Sequence, residues 1–184
     1  MPNETELCEL AFKYGADKCP RLKHSYTPFY HDLLKERQLT IKKVLEIGAG
    51  EGASLRMWRD FFPNALVYGA DNQDGRIFKE DRIEVFRCDQ SSKKDLVDLT
   101  TKTGSDIDLV IDDASHIPEH QVFTCLNLMP LLKKGVIYII EDVADPSIEE
   151  QFTNYDIQVP ELVHTRRRYD DRLIVIRNPM KIDV

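Results

Sequence analysis

The 184-residue sequence is short of the features that would send a chain to a lipid bilayer, a secretory route or a nucleic acid. No apolar run approaches the ~20 residues that a membrane span requires. The opening residues, MPNETELCEL, are acidic and lack the basic-then-apolar form of a secretion signal. The four cysteines, Cys8, Cys19, Cys88 and Cys125, are scattered and include no C-x-x-C pair. Cys88 and Cys125 lie in apolar runs and read as small packed hydrophobes, so reduced thiols and a cytoplasmic location are expected. A basic excess is missing too. Lys and Arg number 25 against 32 Asp and Glu, for a formal net charge of -7. Loose attraction to nucleic acid or anionic lipid is therefore not expected, and the dense basic run Arg166-Arg167-Arg168 reads as a solvated face.

What is present is the composition of one ordinary globular domain, 42% hydrophobic and 31% charged. The expectation is a single domain over residues 1–184, with 1–40 as a helical lid or substrate segment. Helical patterns fall at 4–14 and 27–37, separated by a turn-rich, basic loop, GADKCPRLKHSY. Strands and helices then alternate. Apolar strand runs fall near 42–47, 65–70, 83–88, 107–112 and 135–141, with helices near 52–62, 92–101 and 118–132. The segment 72–81 is too short and polar to assign to a helix. Continuous apolar strands suit a parallel sheet covered on both faces, and strand–helix alternation implies right-handed crossovers. Toward the C-terminus, ELVHTRRRYDDRLIVIRNP reads as two strands around a Tyr169-Asp170-Asp171 turn. The fold class expected is α/β, a doubly wound, mostly parallel seven-stranded sheet ending in an antiparallel hairpin.

The chemistry starts at KKVLEIGAGEGASLRMW, residues 42–58, which reads strand, glycine turn, helix. Glycines let the backbone turn tightly and approach a ligand, and the next helix points N–H groups at it. Gly48, Gly50 and Ala53 also satisfy the relaxed dinucleotide pattern G-x-G-x-x-G/A, so the loop alone does not choose a nucleotide. Three acids tilt the choice. Glu46 precedes the loop, where a pyrophosphate would be repelled but a sulfonium or ammonium would not. Asp71 ends the second strand, placed for ribose hydroxyls. Asp89 and Gln90 end the third, placed for an adenine edge. Together they suit the cationic nucleoside S-adenosylmethionine (SAM). Taken singly, Glu46 reads equally as a capping carboxylate, and Asp71 and Asp89 as strand-end turn residues.

A second group follows. LVIDDASHIPEH ends the fourth strand and YIIEDV the fifth, bringing Asp113, His116, Glu141 and Asp142 to one rim. Crowded carboxylates repel unless a cation joins them. A hard divalent ion, Mg²⁺ foremost, is one answer; a capping acid and a basic partner side chain are the other. His116-Ile117-Pro118-Glu119-His120 matches the H-x-x-E-H zinc-peptidase pattern. Pro118 prefers a first helical turn, however, which places His116 outside the helix and makes the match accidental.

These stretches, KVLEIGAGEGASLRMWRDFFPNALVYGAD, VFRCDQSS, IDLVIDDASHIPEHQ and YIIEDV, resemble the class I SAM-dependent methyltransferases. Within them they are similar to the sugar O-methyltransferases of macrocin- and mycinamicin-type antibiotic biosynthesis, and YGADKCPRLKHSYTPFY is similar to an upstream segment of that family. The resemblance covers roughly residues 14–143. It implies Mg²⁺ on Asp113, Glu141 and Asp142, and His116 as base with Asp113 beside it. It implies SAM on Glu46, Gly48, Asp71, Asp89 and Gln90, with Ala49, Gly50, Asn72 and Asp112 in the same set and Ser25 and Tyr26 closing over the cofactor. The expected partner is a small-molecule acceptor, such as a sugar, with no nucleic acid or membrane and with a homo-oligomer open. Metal-assisted O-methylation then stands beside three alternatives: a SAM-binding domain without methyl transfer, an NAD-dependent oxidoreductase, and a nucleic-acid methyltransferase. The last is disfavoured because neither an (N/D)-P-P-(Y/F) tetrapeptide nor a Pro-Cys nucleophile occurs.

Overall fold

The longer strands of the central sheet carry apolar side chains on both faces, and this alternation builds two cores. On β1 (Lys43–Ile47), Val44 enters one core while Leu45 and Ile47 enter the other. The same division holds for Leu109 and Ile111 against Val110 on β5 (Leu109–Asp112), and for Ile137 and Ile139 against Tyr138 and Ile140 on β6 (Ile137–Ile140). Period-two side chains on a sheet buried on both faces produce this pattern. The computed structural model describes residues 4–163 and 170–179.

The remaining strands are β2 (Leu66–Asp71), β3 (Lys79–Glu80), β4 (Ile83–Arg87), β7 (Asp156–Gln158) and β8 (Ile174–Arg177). The sheet order is β3-β4-β2-β1-β5-β6-β8-β7, parallel from β4 to β6 and antiparallel at β3, β8 and β7. Strand order reverses between β1 and β5, so the carboxyl ends of these two strands border a crevice, the usual ligand position in such sheets.

Helices α1 (Glu6–Tyr14), α2 (Thr27–Leu34) and α3 (Ala53–Phe61) cover one face; α4 (Lys93–Thr103) and α5 (Pro118–Leu128) cover the other. Their ends follow from local chemistry. Thr5 caps α1 by accepting from the Cys8 amide, Ser92 caps α4 by accepting from the Asp95 amide, and Pro118 starts α5 where no amide hydrogen is needed. All four cysteines are buried and free. Among the described residues no helix is long and apolar enough to cross a membrane.

The doubly wound sheet with its antiparallel hairpin is as read from the sequence, with two differences. The sheet has eight strands rather than seven, because Lys79–Glu80 adds a short antiparallel edge to β4 in the segment left unassigned. The hairpin's first arm is Asp156–Gln158, upstream of the 161–168 run; the second arm, Ile174–Arg177, is where the apolar LIVIR pattern puts it. All three residues of the first arm are exposed, so burial wrote no apolar pattern there to find. Tyr169 and the Arg166-Arg167-Arg168 run lie outside the described residues.

Candidate functional site

The loop between β1 and α3 is pinned to its neighbour before any ligand is considered. The Gly48 and Ala49 amides both donate to the Ala70 carbonyl at the end of β2, at 2.8 and 3.1 Å. Gly48 has φ +95, and a Cβ there would stand 2.0 Å from the Asp113 carbonyl oxygen. Glycine is therefore required at this position both by conformation and by the close passage of the β5–α5 loop. Above the loop lies a cavity of about 360 Å³ lined by Gly48, Gly50, Asp71, Asn72, Gln90 and Asp113, together with Arg76, Cys88 and Ser115. Asp71 reaches it with both oxygens oriented: Oδ1 accepts from the Gln73 amide at 2.9 Å, and Oδ2 from the Gly50 amide at 3.1 Å and from Arg76 at 3.3 Å.

The other sequence-predicted cofactor residues, Glu46, Ala49, Asp89, Asp112, Ser25 and Tyr26, are not among the cavity's lining residues. Asp89 Oδ1 accepts from the Ser91 amide at 2.9 Å and hydroxyl at 2.7 Å, closing a strand-end turn. Asp112 is buried and accepts from Tyr138 at 2.8 Å and Gln90 at 3.3 Å. Burial raises its pKa to about 7, against the opposing pull of those two donors. Gln90 holds the rim from below, its Oε1 accepting from the Ser115 amide at 2.9 Å. Ser25 and Tyr26 are buried, and the Tyr26 hydroxyl donates to Asp142 Oδ1 at 2.6 Å.

The acidic rim is real, and its partner is a residue the sequence reading passed over. Lys18, in the loop between α1 and α2, is 1% exposed. Its Nζ stands 2.5 Å from Asp113 Oδ2, 2.6 Å from Glu141 Oε2 and 3.4 Å from Glu46 Oε1. One ammonium does not keep all three carboxylates ionised. Burial opposes the charge on Asp113, but Lys18 and His116 outweigh it and hold the carboxyl well below its usual value. Burial wins at Glu141 and Glu46, whose pKa values rise despite Lys18. Glu141 Oε1 accepts from the Tyr30 hydroxyl at 2.6 Å, so both of its oxygens are engaged. Glu46 Oε2 accepts from the Trp58 indole at 3.0 Å, whereas Oε1 is buried and makes no hydrogen bond. The signal that could have found Lys18 was the Asp17-Lys18 pair in the loop noted for its basic residues; Tyr30 and Trp58 left no signal, being aromatic positions in apolar helices.

His116 bridges Asp113 to the fourth acid of the rim, Asp142. Nε2 is 3.1 Å from Asp113 Oδ1 and Nδ1 is 3.6 Å from Asp142 Oδ2. The hydrogen bond to Asp113 raises the His116 pKa, against burial. Ligand atoms of Asp113, His116 and Asp142 all lie within 4.8 Å of one another, and His120 joins no such cluster among the described residues. His116 has φ 55 and Asp142 φ 52. Two non-glycine residues in the left-handed region at one rim are strain of the kind that collects at functional sites.

The chain is 38% identical over 144 residues to the 8-demethyl-8-alpha-L-rhamnosyl tetracenomycin-C 2'-O-methyltransferase of Streptomyces olivaceus, covering 74% of the chain and 37% of that protein. It is 38% identical over 145 residues to the demethylmacrocin O-methyltransferase of Streptomyces fradiae, covering 75% and 36%. The chain is a homologue of these sugar O-methyltransferases. It spans a little over a third of the length of the curated relatives it matches, 36–37%. The structure superimposes on the mycinamycin-pathway methyltransferase MycE, solved with Mg, SAH and mycinamycin VI, with a TM-score of 0.79 and 25% identity, over 99% of this chain and 57% of that one. An O-methyltransferase of Bacillus cereus shares the fold alone, with a TM-score of 0.63 at 15% identity over 97% and 93% of the two chains. No family model matches. The methyltransferase fold accounts for the sheet: β8 inserted antiparallel between β6 and β7 closes a doubly wound layer whose crevice holds the cavity.

Proposed function

We propose that the chain is a SAM-dependent O-methyltransferase that methylates a hydroxyl of a small molecule, such as a sugar, with the help of a divalent ion. The observation that carries this reading is that Asp113 belongs to two places at once. It lines the cavity on the glycine loop and it anchors the cluster with His116 and Asp142. A methyl donor held in the cavity is thereby next to groups able to receive an acceptor's proton.

The donor set suits a hard ion. Asp113 and Asp142 offer carboxylate oxygens within reach of a common point, and the acids at the rim outnumber its buried ammonium. Asp113 and Asp142 would hold Mg²⁺, and Glu141 would join them once Lys18 or Tyr30 releases one of its oxygens. Bound there, the ion supplies Lewis acidity that lowers the pKa of an acceptor hydroxyl and fixes its position.

The chain's own residues supply the rest. SAM already carries an activated methyl group, so alignment and proton removal are what the protein must add, and alignment alone can be worth ~7–11 kcal/mol. Asp113 Oδ1 accepts from His116 Nε2, which holds the imidazole in one orientation and leaves Nδ1 as the nitrogen able to take a proton. Nδ1 is 3.6 Å from Asp142, too long for a hydrogen bond of its own, so an acceptor hydroxyl meets it without displacing a strong partner. Asp71 lines the cavity wall, and we assign it to the ribose hydroxyls by analogy with other sheets of this topology. The described part of the N-terminal segment, residues 4–40, serves as the cover on the rim's inner side, through Lys18, Tyr26 and Tyr30.

The test is SAM turnover against a panel of hydroxylated acceptors, read by mass spectrometry, with and without chelator, alongside calorimetry with SAM, SAH and NAD. The expected result is a product one methyl heavier, lost on chelation and in Asp113→Asn. His116→Ala should lose ~10²-fold or more in turnover with SAM affinity kept. Turnover at the wild-type level in His116→Ala removes it as base. SAM binding without product across the panel makes the chain a SAM-binding domain, and preference for NAD makes it an oxidoreductase.

A further inference from the structure

Lys18 is the most fully buried lysine or arginine among the described residues, and it takes no part in removing the acceptor's proton. Its three carboxylate neighbours come from three strands: Glu46 from β1 below the glycine loop, Asp113 beyond β5, and Glu141 beyond β6. Two of the three hold it tightly. The third does not: Glu46 Oε1 lies 3.4 Å from Nζ, is buried, and makes no hydrogen bond, although Trp58 fixes the other oxygen of the same carboxylate. A buried carboxylate oxygen held by a 3.4 Å ion pair but by no hydrogen bond is poorly satisfied, and such an oxygen in an otherwise satisfied network calls for an explanation.

The geometry points to Lys18 as a placeholder cation. Its ammonium occupies Asp113 Oδ2 and Glu141 Oε2 until a divalent ion takes those oxygens, and it then moves onto the waiting Glu46 Oε1. This inference rests on the divalent-ion reading of the rim. An ammonium and a divalent ion cannot share those two oxygens without strong repulsion, because like charges a few ångströms apart in a buried site repel far more than in water. A lysine side chain, with four rotatable bonds, covers the short distance to Glu46 without backbone movement. The acids thus never face each other without a cation, and the arrival of metal is coupled to the strand that carries the cofactor loop.

The experiment measures Mn²⁺ affinity, by electron paramagnetic resonance of free ion and by calorimetry, on the full chain without SAM. Four proteins are compared: wild type, Lys18→Met, Glu46→Gln and the double variant. Lys18→Met should bind Mn²⁺ at least tenfold more tightly, since the competitor is gone. Glu46→Gln should bind at least tenfold more weakly, since the ammonium loses its destination. In the Lys18→Met background Glu46→Gln should change affinity less than twofold. Equal or weaker Mn²⁺ binding in Lys18→Met overturns the inference, and so does a Glu46→Gln effect of the same size in both backgrounds. Should Lys18→Met fail to fold, Glu46→Gln alone decides, because unchanged Mn²⁺ affinity there leaves Glu46 no role as acceptor. Failure of the functional reading looks different. Wild type that takes up no Mn²⁺, with Lys18→Met that does, overturns both, because the ammonium is then a permanent counter-ion that no metal displaces. Chelator-sensitive turnover with identical Mn²⁺ affinities overturns the placeholder alone.

Discussion

Adding one methyl group at Gly48 should damage this protein far more than adding one at Gly50, two residues along the same loop. Both glycines have positive φ, +95 and +52, so alanine at either position is strained by roughly 1–2 kcal/mol. The surroundings differ. At Gly50 nothing lies within 4 Å of the new Cβ. At Gly48 it would meet the Asp113 carbonyl oxygen at 2.0 Å, the Asp113 carbonyl carbon at 2.6 Å and Ala114 Cα at 2.8 Å. All three are backbone atoms, so no side chain can turn aside. The loop cannot retreat freely either, because the Gly48 amide donates to Ala70 at 2.8 Å and the Asp113 amide donates to Ile47 at 2.9 Å. Overpacking of this kind costs about 1–3 kcal/mol more. Gly48→Ala should therefore lose about 2–5 kcal/mol of stability in urea or guanidinium unfolding, and Gly50→Ala only about 1–2. The strand ends that part company carry Asp113 and the cavity wall, so SAH affinity should fall in Gly48→Ala as well. Unfolding free energies within about 0.5 kcal/mol of each other for the two variants would refute the reasoning, since that is the spread of substitutions that touch nothing.

Two further expectations concern buried and half-buried acids. Tyr30→Phe strips the hydroxyl that donates to Glu141 Oε1 at 2.6 Å in a fully buried place; stability should fall by about 1–3 kcal/mol and Tm by several degrees, and an unchanged melt would show that the oxygen finds another donor. Asp60, half-buried on α3, accepts from Tyr14, Lys13 and Arg59; burial opposes its charge, but these donors prevail and hold its pKa at about 2 against an ordinary 3.8. A folded pKa below the unfolded one means stability present above the unfolded value and lost as pH falls through the folded one, a contribution of about 2 kcal/mol. Asp60→Asn should flatten the stability profile between pH 3.8 and about 2, and a profile as steep as that of wild type would remove Asp60 from acid unfolding.

Much of the architecture was legible because its signals are local. Val44-Leu45-Glu46-Ile47 followed by three glycines within five residues is strand, turn and helix whatever surrounds it. The strand ends that carry Asp71, Gln90 and Asp113 to the cavity followed from the alternation alone. The weak elements were those without an apolar pattern: the two-residue edge strand at Lys79–Glu80 and the exposed arm Asp156–Gln158, both held by backbone pairing that leaves no mark on side-chain composition. Of the candidate site residues, Asp89 and Asp112 are bound up in the turn and core chemistry of their own strands. Their place in the sequence, at the ends of strands, is the same as that of Asp71, which does face the cavity; only the side chain's direction tells them apart.

The order of residues along the chain was enough to define the doubly wound sheet, the glycine loop and the collection of acids on one edge of it, because each depends on neighbours a few positions apart. What answers those acids was decided in three dimensions. Lys18 meets Asp113 and Glu141 across 95 and 123 positions of sequence, and Tyr26 meets Asp142 across 116. A charge seeks a partner by distance in space, and burial strengthens that demand, so the pairing appears only once the α1–α2 loop has been packed against the ends of the strands.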